Sequence, residues 1–137
     1  MSRLATMKDL VKQEAKNLKK LAFKTELKKL DFERLDPLSP HKCIYGQMSG
    51  NCYSKRAGTL IQKCALRVYK IALLYEPFRE AKLNGSPEEY AVRISTESIK
   101  FHSPIEVFIA QNNENQEENN KRLIRFLKDK TKTLNFL

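Results

Sequence analysis

Two long stretches of this chain repeat apolar residues at helical spacing, and each is backed by a face of positive charge. From Leu4 to Ala22, Leu4, Met7, Leu10, Val11, Leu18, Leu21 and Ala22 recur at the interval that lines them along one side of a helix. Lys8, Lys12, Lys16, Lys19 and Lys20 fall roughly opposite, which makes an amphipathic helix with a lysine face. From about Lys55 to Leu74, the residues Ala57, Leu60, Ile61, Cys64, Val68, Ile71 and Ala72 share a second inward face. Arg56, Lys63, Arg67 and Lys70 align on a narrow arc beside it, and Ser54 stands where an N-cap hydroxyl is expected. Helices of this kind leave an apolar stripe that has to be covered, so they must pack on one another or on further elements.

The intervening segments carry weaker signals. Phe23, Leu27 and Leu30 lie on a different stripe from the first helix, which predicts a kink or a second short helix from about Thr25 to Leu35, stopped by Pro37 and Pro40. Residues 37–53, with Gly46 and Gly50, read as a loop. Pro77 breaks or kinks the central helix, and Asn84-Gly85-Ser86-Pro87 is a turn. Tyr90–Ser95 and Ser98–His102 read as a short hairpin around Thr96-Glu97. Ser103-Pro104-Ile105-Glu106 has the order of a capping box with proline at the first helical position, favouring a helix over 104–110 against a strand-like alternation. The polar run from Gln111 leads into a final helix, about Gln116 to Asp129, with Leu123, Ile124 and Leu127 inward, and Thr133–Leu137 could add an edge strand. No internal repeat or heptad array is present. The expected fold is a single domain over 1–137, α+β but predominantly helical. An N-terminal helical pair packs on the central helix, and a small antiparallel sheet and a C-terminal helix complete it.

Composition sets the class. A content of 41% hydrophobic and 31% charged residues in 137 is that of a globular chain able to build one core. No apolar run is long enough to span a bilayer, and Met1–Asp9 lacks the apolar stretch of a secretory signal. With three cysteines, an odd number, reduced thiols and a cytoplasmic location are expected. Frequent Lys, Asn, Ile, Phe and Leu beside sparse Gly and Ala suggest an AT-rich coding sequence, as in a low-GC bacterium or its phage.

The net charge of +10 is uneven. Residues 1–36 carry ten Lys/Arg against six Asp/Glu, residues 37–82 eight against two, and residues 83–137 eight against eight. A field concentrated in this way first suggests a polyanionic partner such as nucleic acid. The stripe Arg56, Lys63, Arg67 and Lys70, joined by Lys55, is the candidate contact: cations spaced along one helix can follow a phosphate backbone, and Tyr53 and Tyr69 could stack on bases. A solvated outer helix face explains the same stripe. The lysine face of the first helix reads as solvated surface diluted by Asp9 and Glu14, or less readily as a face for an anionic membrane.

The segment Gly46–Arg56 is the second candidate. Gly46, Gly50, Asn51 and Ser54 precede a helix start at Lys55 and Arg56, and free amides at such a start attract anions. It lacks the Gly-Lys-Ser/Thr ending of a phosphate-binding P-loop, so tight turns and a capping serine account for it more readily. Cys43-Ile-Tyr-Gly-Gln-Met-Ser-Gly-Asn-Cys-Tyr-Ser-Lys-Arg-Ala, followed by Cys64, resembles a segment of small phage-encoded proteins. The resemblance covers about a fifth of the chain, implies a phage or mobile-element origin, and supplies no chemistry. His41, Cys43, Cys52 and Cys64 have the residue types of a zinc site without its short cysteine spacings. Cys52 near Lys55 and Arg56 could be an activated nucleophile if His41 or His102 approached it.

No metal, cofactor or catalytic group is expected from this pattern. The reading is of a non-catalytic accessory protein that binds a polyanion, nucleic acid foremost. The alternatives are a module whose basic face meets an acidic host protein, or a small phosphate-binding enzyme at Gly46–Arg56.

Overall fold

The computed structural model describes residues 7–72, 103–129 and 133–136, with main chain alone at residue 7 and over 66–72. Helix α1 runs Met7–Leu21, α2 Lys24–Leu27, and a 3-10 turn follows at Phe32–Arg34. Then come α3 at Ile44–Ser49, α4 at Lys55–Ala72, α5 at Pro104–Ile109 and α6 at Gln116–Lys128.

Among the described residues there is no strand, and the expected α+β class with a small sheet is corrected to an all-helical arrangement for this part of the chain. The tail shows why. Leu134 is buried and Phe136 stacks on Phe108 of α5, with ring centroids 4.8 Å apart, so residues 133–136 are held by side-chain anchoring and pair with no strand. The expected break at Pro77, the turn 84–87 and the hairpin over 90–102 lie outside the described residues.

Helix α1 is the hub, packing on α4, α5 and α6, while α2 packs on α3 and α6 reaches the 3-10 turn. Of the expected helical pair, α1 packs along α4, while α2 packs on α3 and meets α4 through the Glu26–Arg56 ion pair. Val11, Ala15 and Leu18 of α1 are fully buried against Leu60 and Cys64 of α4, Ile105 and Phe108 of α5, and Leu123 and Leu127 of α6, in one continuous cluster. Ser54 caps α4, accepting the Ala57 amide at 3.2 Å. Ser103 caps α5 in the same way, accepting from Glu106 at 3.4 Å with Pro104 at the first helical position. The local order of residues there overrides the strand-like alternation.

Helix α3 lies within the stretch that reads as loop. Ile44, Tyr45 and Met48 are buried at helical spacing, and the Cys43 sulfur accepts the Gly46 amide at 3.3 Å as N-cap. Gly46 is required because a Cβ there would stand 2.2 Å from the Pro40 carbonyl oxygen, so the preceding turn lies directly on the helix. Gly50 closes it with φ +89°, a conformation that costs any other L-residue a steric penalty.

Candidate functional site

The segment Gly46–Arg56 is knitted into the fold by its own polar groups. The Gly50 amide donates to Gly46 O and the Cys52 amide to Pro40 O, both at 2.8 Å. The Asn51 side-chain oxygen accepts the Tyr53 amide at 2.8 Å, and its carbonyl accepts the Ser54 amide at 3.0 Å. His41 Nδ1 lies 2.7 Å from the Gly50 carbonyl. The amides of Gly50, Cys52, Tyr53, Ser54 and Ala57 are thus engaged within the chain.

Arg56 is committed as well. Its Nε and Nη2 donate to the two carboxylate oxygens of Glu26 at 2.8 and 2.7 Å, and Nη2 also reaches the Leu21 carbonyl at 3.4 Å. The guanidinium lies over the Phe23 ring, 4.4 Å from its centroid. Hydrogen bonding to Arg56 holds the Glu26 carboxyl below its usual value, so the pair is ionised. Of the remaining stripe, Lys55 and Lys63 are exposed, while the side chains of Arg67, Tyr69 and Lys70 lie outside the described residues. The structure brings Arg56 to Glu26.

The three cysteines are buried thiols, none of them in a disulfide. Burial pushes the Cys52 thiol up, and with it Cys43, the reverse of the depression a nucleophile needs. Cys43 and Cys52 share a hydrogen bond, but no group of three or more His, Cys, Asp or Glu able to hold a metal occurs among the described residues. His102 lies outside them.

A residue assigned by sequence to the lysine face proves to be central. Glu14 is fully buried on the inward side of α1, where its Oε2 accepts the Tyr45 hydroxyl at 2.6 Å and its Oε1 the Ile105 amide at 3.0 Å. It therefore satisfies one of the open amides at the start of α5, beside Ser103. Burial drives its pKa up to about 7, with the neighbouring buried Glu106 adding to the effect. Its spacing of three and four from Val11, Leu10 and Leu18 was the available signal. This is an enclosed polar joint between α1, α3 and α5.

Open charge gathers elsewhere. Lys19, Lys20, Lys24, Lys28 and Lys128 surround a half-open groove of about 620 Å³ whose apolar lining is Ala22, Leu27 and Leu127. The lysines come from α1, α2 and α6, and among the described residues no carboxylate lines the groove. Lys19 is fixed: its ammonium donates to the Asp129 carbonyl at 2.8 Å and sits 4.0 Å from the Phe126 ring centroid. Lys20, Lys24 and Lys28 are exposed, as is Lys128. By contrast, the basic groups farther round α6 have acidic neighbours, with Lys121 on Glu117 at 3.4 Å and Arg122 and Arg125 on Glu118 at 3.9 and 3.7 Å. A smaller concavity of about 240 Å³, formed by Arg122, Arg125, Thr133 and Asn135, is accordingly partly neutralised. Sequence reasoning missed the groove because its far wall, with Lys128, lies 100 or more residues beyond the lysines of α1 and α2.

No family model, curated protein or solved structure matches the chain. No helix among the described residues is long and apolar enough to cross a membrane.

Proposed function

We propose that the protein is a non-catalytic nucleic-acid-binding protein and that the lysine-lined groove between α1, α2 and α6 is its contact surface. The observation that carries the reading is the clustering of Lys19, Lys20, Lys24, Lys28 and Lys128 around one groove with no lining carboxylate. Like charges held together repel, and a polyanion relieves that repulsion while releasing its own counterions. Lysine suits this task as a mobile point charge that follows phosphates without demanding a fixed geometry. The net charge of +10 adds long-range attraction. The exposed Lys55 and Lys63 of α4 could extend the positive surface, whereas Arg56 serves the fold through Glu26.

Titration of a labelled oligonucleotide at rising salt tests the reading. With four to five phosphates engaged, log K should fall against log salt with a slope of roughly −3 to −4. Reversing Lys20 and Lys24 to Glu should flatten the slope and weaken binding, while reversing the already paired Lys121 should do neither to a comparable degree. A salt-independent affinity, or equal effects at both places, would remove the groove from consideration.

A further inference from the structure

We propose that the groove takes a single strand of nucleic acid, with Phe23 as the platform on which a base stacks, an inference that rests on the nucleic-acid reading above. Phe23 is 63% exposed, which is unusual for a phenylalanine beside a packed core. Its chain neighbours Ala22 and Lys24 both line the groove, which places Phe23 next to it along the chain. One face is occupied by the Arg56 guanidinium at 4.4 Å, and with 63% of the residue in water the ring is open elsewhere.

The ring is also held in place. Glu26 accepts the Phe23 amide at 2.8 Å and binds Arg56 through both carboxylate oxygens, so one carboxylate fixes both the backbone of Phe23 and the cation behind its ring. An exposed aromatic ring locked against a guanidinium, next to a run of lysines, has the composition of a single-strand platform: charges for the backbone and a π-face for a base. A duplex offers its phosphates to lysines but keeps its base faces stacked, leaving Phe23 and the apolar lining Ala22, Leu27 and Leu127 without a partner. The groove volume of about 620 Å³ is that of a pocket for a small molecule, in keeping with nucleotides of one strand.

The test compares an oligothymidylate with a hairpin duplex of equal charge, by fluorescence anisotropy at two salt concentrations, for the parent protein, Phe23→Ala and Phe23→Trp. Polyglutamate serves as a competitor. The single strand should bind more tightly than the duplex, and Phe23→Ala should weaken it about five-fold or more without altering duplex affinity or the salt slope. Phe23→Trp should keep the affinity, and because the chain has no other tryptophan its emission should be quenched by the single strand alone. Equal binding of both oligonucleotides with no effect at Phe23 and no quenching would overturn the stacking inference and leave the nucleic-acid reading standing. Failure to bind either oligonucleotide, or displacement by polyglutamate at equal charge, would overturn both.

Discussion

The glycine-bearing turn at 46–56 and the lysine groove are both rich in groups that attract anions, yet they treat those groups in opposite ways. In the turn, several donors meet an acceptor of the same chain: Gly50 and Cys52 amides on backbone carbonyls, the Tyr53 amide on Asn51, Arg56 on Glu26. In the groove, Lys20, Lys24, Lys28 and Lys128 stand around an apolar lining with no carboxylate among them. The difference teaches that residue types alone do not mark a binding place. What marks it is polar capacity left over once folding has used what it needs.

Gly46→Ala should produce the largest effect and separate the two regions most sharply. A Cβ at 2.2 Å from the Pro40 oxygen meets backbone that cannot swing aside, and a loss of about 3 kcal/mol is expected in chemical denaturation. Oligonucleotide affinity of the fraction that folds should not change. Normal stability in that variant would break the claim that the turn is structural.

The next effect is one of pH and rests on Glu14. Its folded pKa is raised to about 7, so across the range from ordinary carboxylate values up to 7 the folded state holds a proton that the unfolded chain has released. Stability should therefore be greater at the acid end of that range, fall by roughly 2–3 kcal/mol as pH rises to about 7, and level off above it. Glu26 acts in the opposite sense at lower pH, since its depressed pKa means that acidification removes the Arg56 pair. Urea midpoints from pH 4 to 8 would show the Glu14 slope, and Glu14→Gln should flatten it. Affinity at the groove should stay level over the same range, because Glu14 is not among the residues that line it.

Charge reversal of Lys20 and Lys24 together should lower oligonucleotide affinity by roughly tenfold or more, equivalent to about 1.4 kcal/mol or above, with melting temperature nearly constant. A melting point that fell with the affinity would make the lysines part of the fold and erase the contrast with the turn.

The smallest effects concern the other two described glycines. Gly50→Ala should cost about 1 kcal/mol, since space is open around it but its φ of +89° is strained for alanine. Gly58→Ala lies on an exposed turn of α4 with nothing within 4 Å of the new methyl group, and should stabilise by about 0.5–1 kcal/mol in thermal melts. Opposite signs at these positions would show that only some of the glycines are present for backbone shape.

The helices α1, α4 and α6 were legible because each repeats apolar residues over several turns, and the serine caps at Ser54 and Ser103 were legible because capping is a local interaction. Helix α3 was hidden: Gly46 and Gly50, with Pro37 and Pro40 before them, advertise turns, and only the burial of Ile44, Tyr45 and Met48 turns six residues into a helix. The edge strand expected near the C-terminus failed because Phe136 finds a ring to pack on instead of a neighbouring backbone. Glu14 was misplaced because a carboxylate in a lysine-rich helix looks like surface, although its position matches the buried register. The groove depends on three segments meeting in space, and no reading along the chain joins Lys24 to Lys128.

Lys19 makes that meeting durable. Its ammonium closes on the backbone of Asp129, 110 residues downstream, and on the face of Phe126. The first helix is thereby latched to α6, and the cleft needs both walls. A fragment ending before residue 116 would keep most of the basic residues that look responsible for affinity and still lose the cleft, so domain-trimming experiments on this protein should preserve both ends.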